Sequence, residues 1–134
     1  MIIVVRRGSE FLVLHRAPQF EAYWHLVAGG VEDGESPRDA AARELQEEVG
    51  LDATARLRDL ERPFAYSLAD EPSAVRARFG TSQTDVRVDA FVAEVERAWE
   101  PALNEEHDGY RWCSRDEAVA LLYWPEPREL VRAL

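Results

Sequence analysis

The sequence predicts an α+β fold, a mixed β-sheet packed between helices, and three observations lead there. Short strand-like runs lie both before and after one well-marked helix, and further helical patterns close the chain. No linker, internal repeat or low-complexity tract divides the 134 residues, so a single domain over 1–134 is expected. Hydrophobic residues make up 46% of the chain and include four Trp, five Phe and four Tyr, which supplies a packed core and excludes disorder.

Ile2 to Arg7 and Phe11 to Arg16 read as the first two strands, joined by Gly8-Ser9, a pair that suits a type II′ hairpin turn. Tyr23 to Val27 is a further strand and runs into Ala28-Gly29-Gly30. Ser36 to Val49 is the clearest helix. Ser36 fits the N-cap, Pro37 the first helical position, Asp39 closes a capping box and Gly50 caps the C-terminus. Residues 53–61 hold a strand, and Phe64 to Phe79 reads as an irregular excursion. Asp85 to Val95 alternates, with Val86, Val88, Ala90 and Val92 on one face and Asp85, Arg87 and Asp89 on the other. Tyr110 to Cys113 is a short strand. Ser114-Arg115-Asp116-Glu117 is a second capping box that opens a helix to about Leu122. Trp124-Pro125 interrupts it, and Glu126 to Leu134 forms the terminal helix.

Composition narrows the chemistry. The 26 acidic and 16 basic side chains leave a net charge of −10, a surface that repels nucleic-acid backbones and anionic lipid. Neither nucleic acid nor membrane is an expected partner, and a polyphosphate would need divalent cations to approach. Every basic residue is Arg. Without Lys there is no Schiff-base chemistry and no P-loop lysine. Cys113 stands alone, which excludes an internal disulfide or a Cys-rich zinc site, and it is expected to be buried and inert. The apolar start, Met1 to Val5, runs directly into Arg6 and Arg7, too soon for a signal peptide or a membrane span. A soluble cytoplasmic protein is expected.

The chemistry concentrates in residues 29–51, GGVEDGESPRDAAARELQEEVGL. Steps of three and four place Glu44, Glu47 and Glu48 on one helix face, with Ala41, Leu45 and Val49 on the opposite, buried stripe. Three carboxylates on one turn repel each other. A hard divalent cation with a preference for oxygen ligands gives such crowding a purpose. The segment carries seven acids against two Arg, half of the chain's excess negative charge. The alternative is a solvated acidic face on which Arg43 pairs with Glu47.

Gly29, then Glu35, then Arg43-Glu44-Leu45-x-Glu47-Glu48-x-Gly50-Leu51 resembles the Nudix box without a departure. Seven of these nine identities alone, at roughly 7% usage each, arise by chance in about 10⁻⁸ of windows. The resemblance implies a Nudix hydrolase, with a loop–helix–loop site on an α/β/α sandwich and water attacking phosphorus with the help of Mg²⁺ or Mn²⁺. It implies Glu47 and Glu48 as principal metal ligands. Glu44 would bind metal or activate the attacking water, and Arg43 and Glu35 would brace the loop; Glu44, Glu47 and Arg43 are thus the catalytic candidates. Gly29 and Gly50 would support the loop. Where many members carry Pro-Gly-Gly this chain has Val27-Ala28-Gly29, and the Ala28 carbonyl remains available as a ligand.

That departure, with Tyr23-Trp24 before it and Glu106-His107-Asp108-Gly109-Tyr110-Arg111-Trp112 near the end, is similar to bacterial dihydroneopterin triphosphate diphosphatases. Glu106 is the further metal-ligand candidate by that likeness; otherwise it is an acidic loop residue beside Glu105. Tyr23 and Trp24 are either a stacking site for a pterin or purine ring or core aromatics. Arg16 either clamps a phosphate or pairs at the surface. His107 either lies near the site or, as a lone His beside acids, is a hydrogen-bonding bystander. The expected activity is Mg²⁺-dependent conversion of a nucleoside-triphosphate-like substrate, dihydroneopterin triphosphate or a purine dNTP, into a monophosphate and pyrophosphate. The small-molecule partner is thus a nucleotide or pterin triphosphate, and the resemblance leans toward a homodimer. Tyr66 supports the alternative of dinucleoside polyphosphate hydrolysis. A non-catalytic nucleotide-sensing domain is the alternative of another class, disfavoured by the intact box glutamates.

Overall fold

Two short apolar runs at the start of the chain become the centre of the sheet. Ile2–Arg7 (β1) and Glu10–Arg16 (β2) form an antiparallel hairpin, with Arg7 opposite Glu10 and Gly8 at φ +56° in the two-residue turn. The computed structural model describes residues 1–52, 56–61, 64–67 and 85–134, and the side chains of these except 64–67 and 85–86. Ile2, Ile3, Val4 and Val5 are all buried, because β1 has neighbours on both faces as well as both edges.

Beyond Arg6 and Phe11 the paired register of β1 with β2 ends, and the segment from Trp24 to Ala28 takes the free edges of both. Trp24–His25 (β3) pairs with His15 and Leu14 of β2. Val27–Ala28 (β4) pairs with Ile3 and Ile2 of β1. The single strand expected over Tyr23 to Val27 is therefore two. The chain changes partner at the buried Leu26, a choice made by the divergence of two distant strands.

Leu57–Asp59 (β5) is the described part of the strand expected over 53–61; residues 53–55 lie outside the described residues. Phe64–Ser67 (β6) and Asp85–Val88 (β7) pair as a separate antiparallel ribbon, so the supposed excursion begins with a strand. The rest of that excursion, from 68 onward, lies outside the described residues. Ala90–Glu94 (β8) runs parallel to β1, with Ile2 opposite Ala90, and β5 lies antiparallel on its other edge. The run read as one alternating strand over 85–95 thus breaks at Asp89, whose carbonyl accepts from the Ile2 amide. Alternation fails in β8 because Ala90, Phe91, Val92 and Ala93 are all buried, as befits a central parallel strand. His107–Cys113 (β9) pairs along the far edge of β2.

Pro37–Val49 (α1) covers one face of the sheet, while Arg115–Leu121 (α2) and Pro125–Arg132 (α3) cover the other. Ile3, Val5, Leu12, Leu14 and Phe91 pack under Ala41, Leu45 and Val49 of α1. Ile2, Val4, Phe11, Val13 and Val92 pack with Cys113, Ala118, Leu122 and Val131 on the other side. The α+β sandwich expected from the sequence is the observed one. Ser36 Oγ accepts from the Asp39 amide at 3.1 Å, and Gly50 takes φ +72° as the C-cap. The reciprocal capping-box bond is made in α2, where the longer Glu117 reaches back to the Ser114 amide. Among the described residues no helix is long and apolar enough to cross a membrane.

Candidate active site

The loop that leaves β4 passes under α1, and only a glycine allows that approach. A Cβ on Gly29 would stand 2.2 Å from Glu44 Oε1 and 2.8 Å from its Cγ. Gly30, by contrast, has open space around it. The backbone of Gly29 is fixed by its amide, which donates to the Met1 carbonyl at 3.1 Å. Gly50, at the other end of α1, faces Ala102, whose amide donates to the Val49 carbonyl at 2.9 Å. That contact holds the segment leading to Glu106 against the end of the helix.

Arg43 ties the loop to the helix. Its Nε and Nη2 donate to the two oxygens of Glu35 at 2.8 and 3.0 Å, a bidentate pair, and Nη2 also reaches the Gly30 carbonyl at 3.0 Å. Nη1 donates to Glu44 at 2.9 Å and to Glu47 at 3.3 Å. These bonds hold the Glu35 carboxyl down at about 2, chiefly through Arg43 and then the Glu32 backbone. Glu35 accordingly stays charged and the brace persists across the neutral range. The Arg43–Glu47 pair of the solvated-face alternative is present too, but as the longest of these bonds.

Glu44, Glu47 and Glu48 do not share one environment. Glu47 is largely exposed, and Glu44 is held between Gly29 and Arg43. Glu48 is only 2% exposed, and its Oε2 lacks a hydrogen-bond partner. Burial first, then Glu44 and Glu106, pushes its carboxyl up to about 9, while a backbone bond from Ala28 opposes the shift. Ala28 itself, on β4, is thereby adjacent to the Glu48 carboxylate.

A bulge in β9 at Asp108, opposite the step from His15 to Arg16, sets Arg16 opposite His107, and the Ala17 amide donates to the Glu106 carbonyl at 2.9 Å. This anchors the start of β9 over the end of α1. One donor atom each from Glu48, Glu106 and His107 lies within 4.8 Å of the others. Glu105 points to solvent, so the structure separates the two neighbouring acids. His107 is 5% exposed, its Nε2 stands 3.6 Å from Glu48 Oε1 and its Nδ1 has no partner. Burial and then Arg16 lower its pKa to about 4, which keeps the ring neutral. The donors fit a divalent cation: a buried carboxylate with one unpartnered oxygen is crowded by two others, and a cation would offset both penalties.

The substrate-binding candidates part company. Arg16 Nε donates to the Phe20 carbonyl at 2.9 Å, and the guanidinium lies 5.2 Å over the Tyr23 ring. Trp24 packs against the core beneath α2 and α3 and meets His15 edge-on, which favours the core alternative for it. Tyr23 instead stacks on Tyr123 at 5.4 Å and meets Trp124 edge-on at 6.0 Å. Tyr123 and Trp124 are 59% and 42% exposed. Sequence reasoning missed Tyr123, because its partner Tyr23 lies a hundred residues earlier and only the fold joins them. Tyr66 lies on β6, but its side chain is outside the described residues.

The NUDIX domain family model matches residues 1–134, the whole chain. The chain is 28% identical over 124 residues to the dihydroneopterin triphosphate diphosphatase of Haemophilus influenzae, covering 90% of this chain and 75% of that protein. It is 31% identical over 120 residues to the asymmetrical bis(5'-nucleosyl)-tetraphosphatase of Rattus norvegicus, covering 87% and 72%. An octanoyltransferase of Myxococcus xanthus is 32% identical over 97% of this chain, which spans 34% of its length. Among solved structures, the dihydroneopterin triphosphate pyrophosphohydrolase of E. coli superposes with a TM-score of 0.81 at 26% identity, over 99% of this chain and 91% of that one.

Proposed function

The chain belongs to the NUDIX family of hydrolases, and from that premise we propose that it converts a nucleoside-triphosphate-like substrate into a monophosphate and pyrophosphate. The observation that carries the reading is the Glu48 carboxylate, buried beside Glu44 and Glu106 with its Oε2 unpartnered. Glu44, Glu47, Glu48, Glu106 and the Ala28 carbonyl would hold divalent cations, Mg²⁺ or Mn²⁺, which supply positive charge against the polyphosphate and raise the acidity of water. Glu44 takes the proton of the attacking water. The oxygen–phosphorus bond forms as the anhydride bond between the first and second phosphates breaks, and the pyrophosphate leaves with that electron pair. Arg43, by tying Glu44 and Glu35 together, fixes where that base stands. Arg16 binds a phosphate oxygen through its terminal nitrogens.

For the ring, the reading is dihydroneopterin triphosphate or a purine dNTP. Support comes from the similarity to the Haemophilus and E. coli enzymes and from the cluster of half-buried Tyr23 with exposed Tyr123 and Trp124 beside Arg16. A flat bicyclic ring gains roughly 1–3 kcal/mol by stacking, whichever heterocycle it is. A second reading, dinucleoside tetraphosphate hydrolysis, has the rat tetraphosphatase in its favour. A substrate panel with pyrophosphate and phosphate release measured in Mg²⁺ decides. Pyrophosphate from dihydroneopterin triphosphate and several purine dNTPs is expected. Efficient cleavage of dinucleoside tetraphosphates with triphosphates left intact would replace the first reading by the second, and no turnover on the panel would favour a sensing domain.

A further inference from the structure

We infer that the His107 imidazole is a nitrogen ligand of the metal centre, making it a mixed carboxylate–imidazole site that favours Mn²⁺ and later transition ions over Mg²⁺. The inference rests on the reading of the α1 carboxylates as cation ligands and adds a residue and a selectivity to it. Two side chains buried to 2% and 5% exposure face each other across His107 Nε2 and Glu48 Oε1, and Glu48 Oε2 has no hydrogen-bond partner. Buried polar groups that remain unsatisfied are uncommon and costly. The 3.6 Å between His107 Nε2 and Glu48 Oε1 is too long for a hydrogen bond. Two donors on one small cation stand roughly 3 to 4.2 Å apart, from metal–ligand distances of about 2.1 Å, and the observed gap falls inside that range. Glu106 completes a group whose donor atoms lie within 4.8 Å of one another.

The backbone explains why the ring points there. The bulge at Asp108 of β9 pairs Arg16 with His107, and the Asn104 carbonyl accepts from the His107 amide at 3.3 Å. These bonds fix the main chain and leave the ring against α1. The other histidines have different surroundings: His15 pairs with Asp108 at 2.6 Å, and His25, whose Nδ1 is also buried without a partner, meets the Tyr23 ring edge-on and lies outside the Glu48–Glu106–His107 group. Imidazole suits transition ions, whereas Mg²⁺ prefers an all-oxygen shell and dehydrates reluctantly.

The test is pulsed EPR of Mn²⁺ bound to the whole protein, with affinities for Mn²⁺ and Mg²⁺ measured by titration. Coupling of Mn²⁺ to ¹⁴N is expected in the wild type and in His15→Gln and His25→Gln, and absent in His107→Gln. His107→Gln should lose about 10-fold or more in Mn²⁺ affinity and less than about 3-fold in Mg²⁺ affinity. His107→Asn, a smaller replacement, makes the same comparison if Gln does not pack. Mn²⁺ bound without nitrogen coupling, or coupling that survives loss of His107, would overturn the inference and leave the carboxylate site standing. Failure to bind Mn²⁺ at all would overturn both.

Discussion

Replacing Glu48 by Gln removes one ionisable carboxyl from the interior while preserving shape and helix propensity. In the metal-free protein the Glu48 carboxyl is raised from an ordinary 4.5 to about 9, by burial first and then by Glu44 and Glu106. A carboxyl raised on folding keeps its proton in the native state after the unfolded chain has released it. Its contribution to stability is therefore complete below the unfolded pKa and is lost as pH rises through the window from 4.5 toward about 9. The slope inside that window is at most roughly 1.4 kcal/mol per pH unit, so about 3 kcal/mol separates pH ~5.5 from pH ~7.5. Glu48→Gln lacks this titration. Urea unfolding in EDTA should show the variant gaining on wild type by up to about 3 kcal/mol over that interval, or roughly 10 °C in Tm. Saturating metal should reverse the order, because a cation at ~100 times its Kd stabilises the wild type by about 2.7 kcal/mol and the variant less. A stability difference that does not change with pH, or undiminished metal binding by the variant, would refute the reasoning.

Gly29→Ala should drive Glu44 off its position, since the new Cβ falls 2.2 Å from Oε1; a cost of about 1–3 kcal/mol and a ~10-fold loss of turnover are expected. Gly30→Ala, with open space around it, should stay near wild type in both thermal unfolding and turnover. Arg43→Lys cannot reproduce the two bonds to Glu35 and the one to Gly30, and kcat should fall about 10- to 100-fold with the fold retained by circular dichroism. Glu106→Gln should weaken metal-dependent turnover while Glu105→Gln, on the exposed neighbour, leaves it unchanged; equal small effects would return Glu106 to an ordinary loop acid.

What the sequence determined by itself was local and periodic. The three- and four-residue spacing in 36–50 specifies α1, its caps and the buried stripe of Ala41, Leu45 and Val49, because helix geometry is set by near neighbours. The same spacing, with Gly29 and Glu35 before it, was enough to expose the box and the family. Tertiary structure decided what the residues in that pattern experience. Glu48, seven residues after Ala41, falls beside the buried stripe rather than opposite it as expected, and the fold seals it against the start of β9 while Glu47 stays exposed. The partner change at Leu26 and the break at Asp89 were hidden because strand pairing is a contact between distant segments, and β8 loses its alternation once both faces are covered. His107 beside Glu48 and Tyr23 on Tyr123 were invisible for the same reason: each pair is about 60 to 100 residues apart, and only the folded sheet brings its members within contact distance.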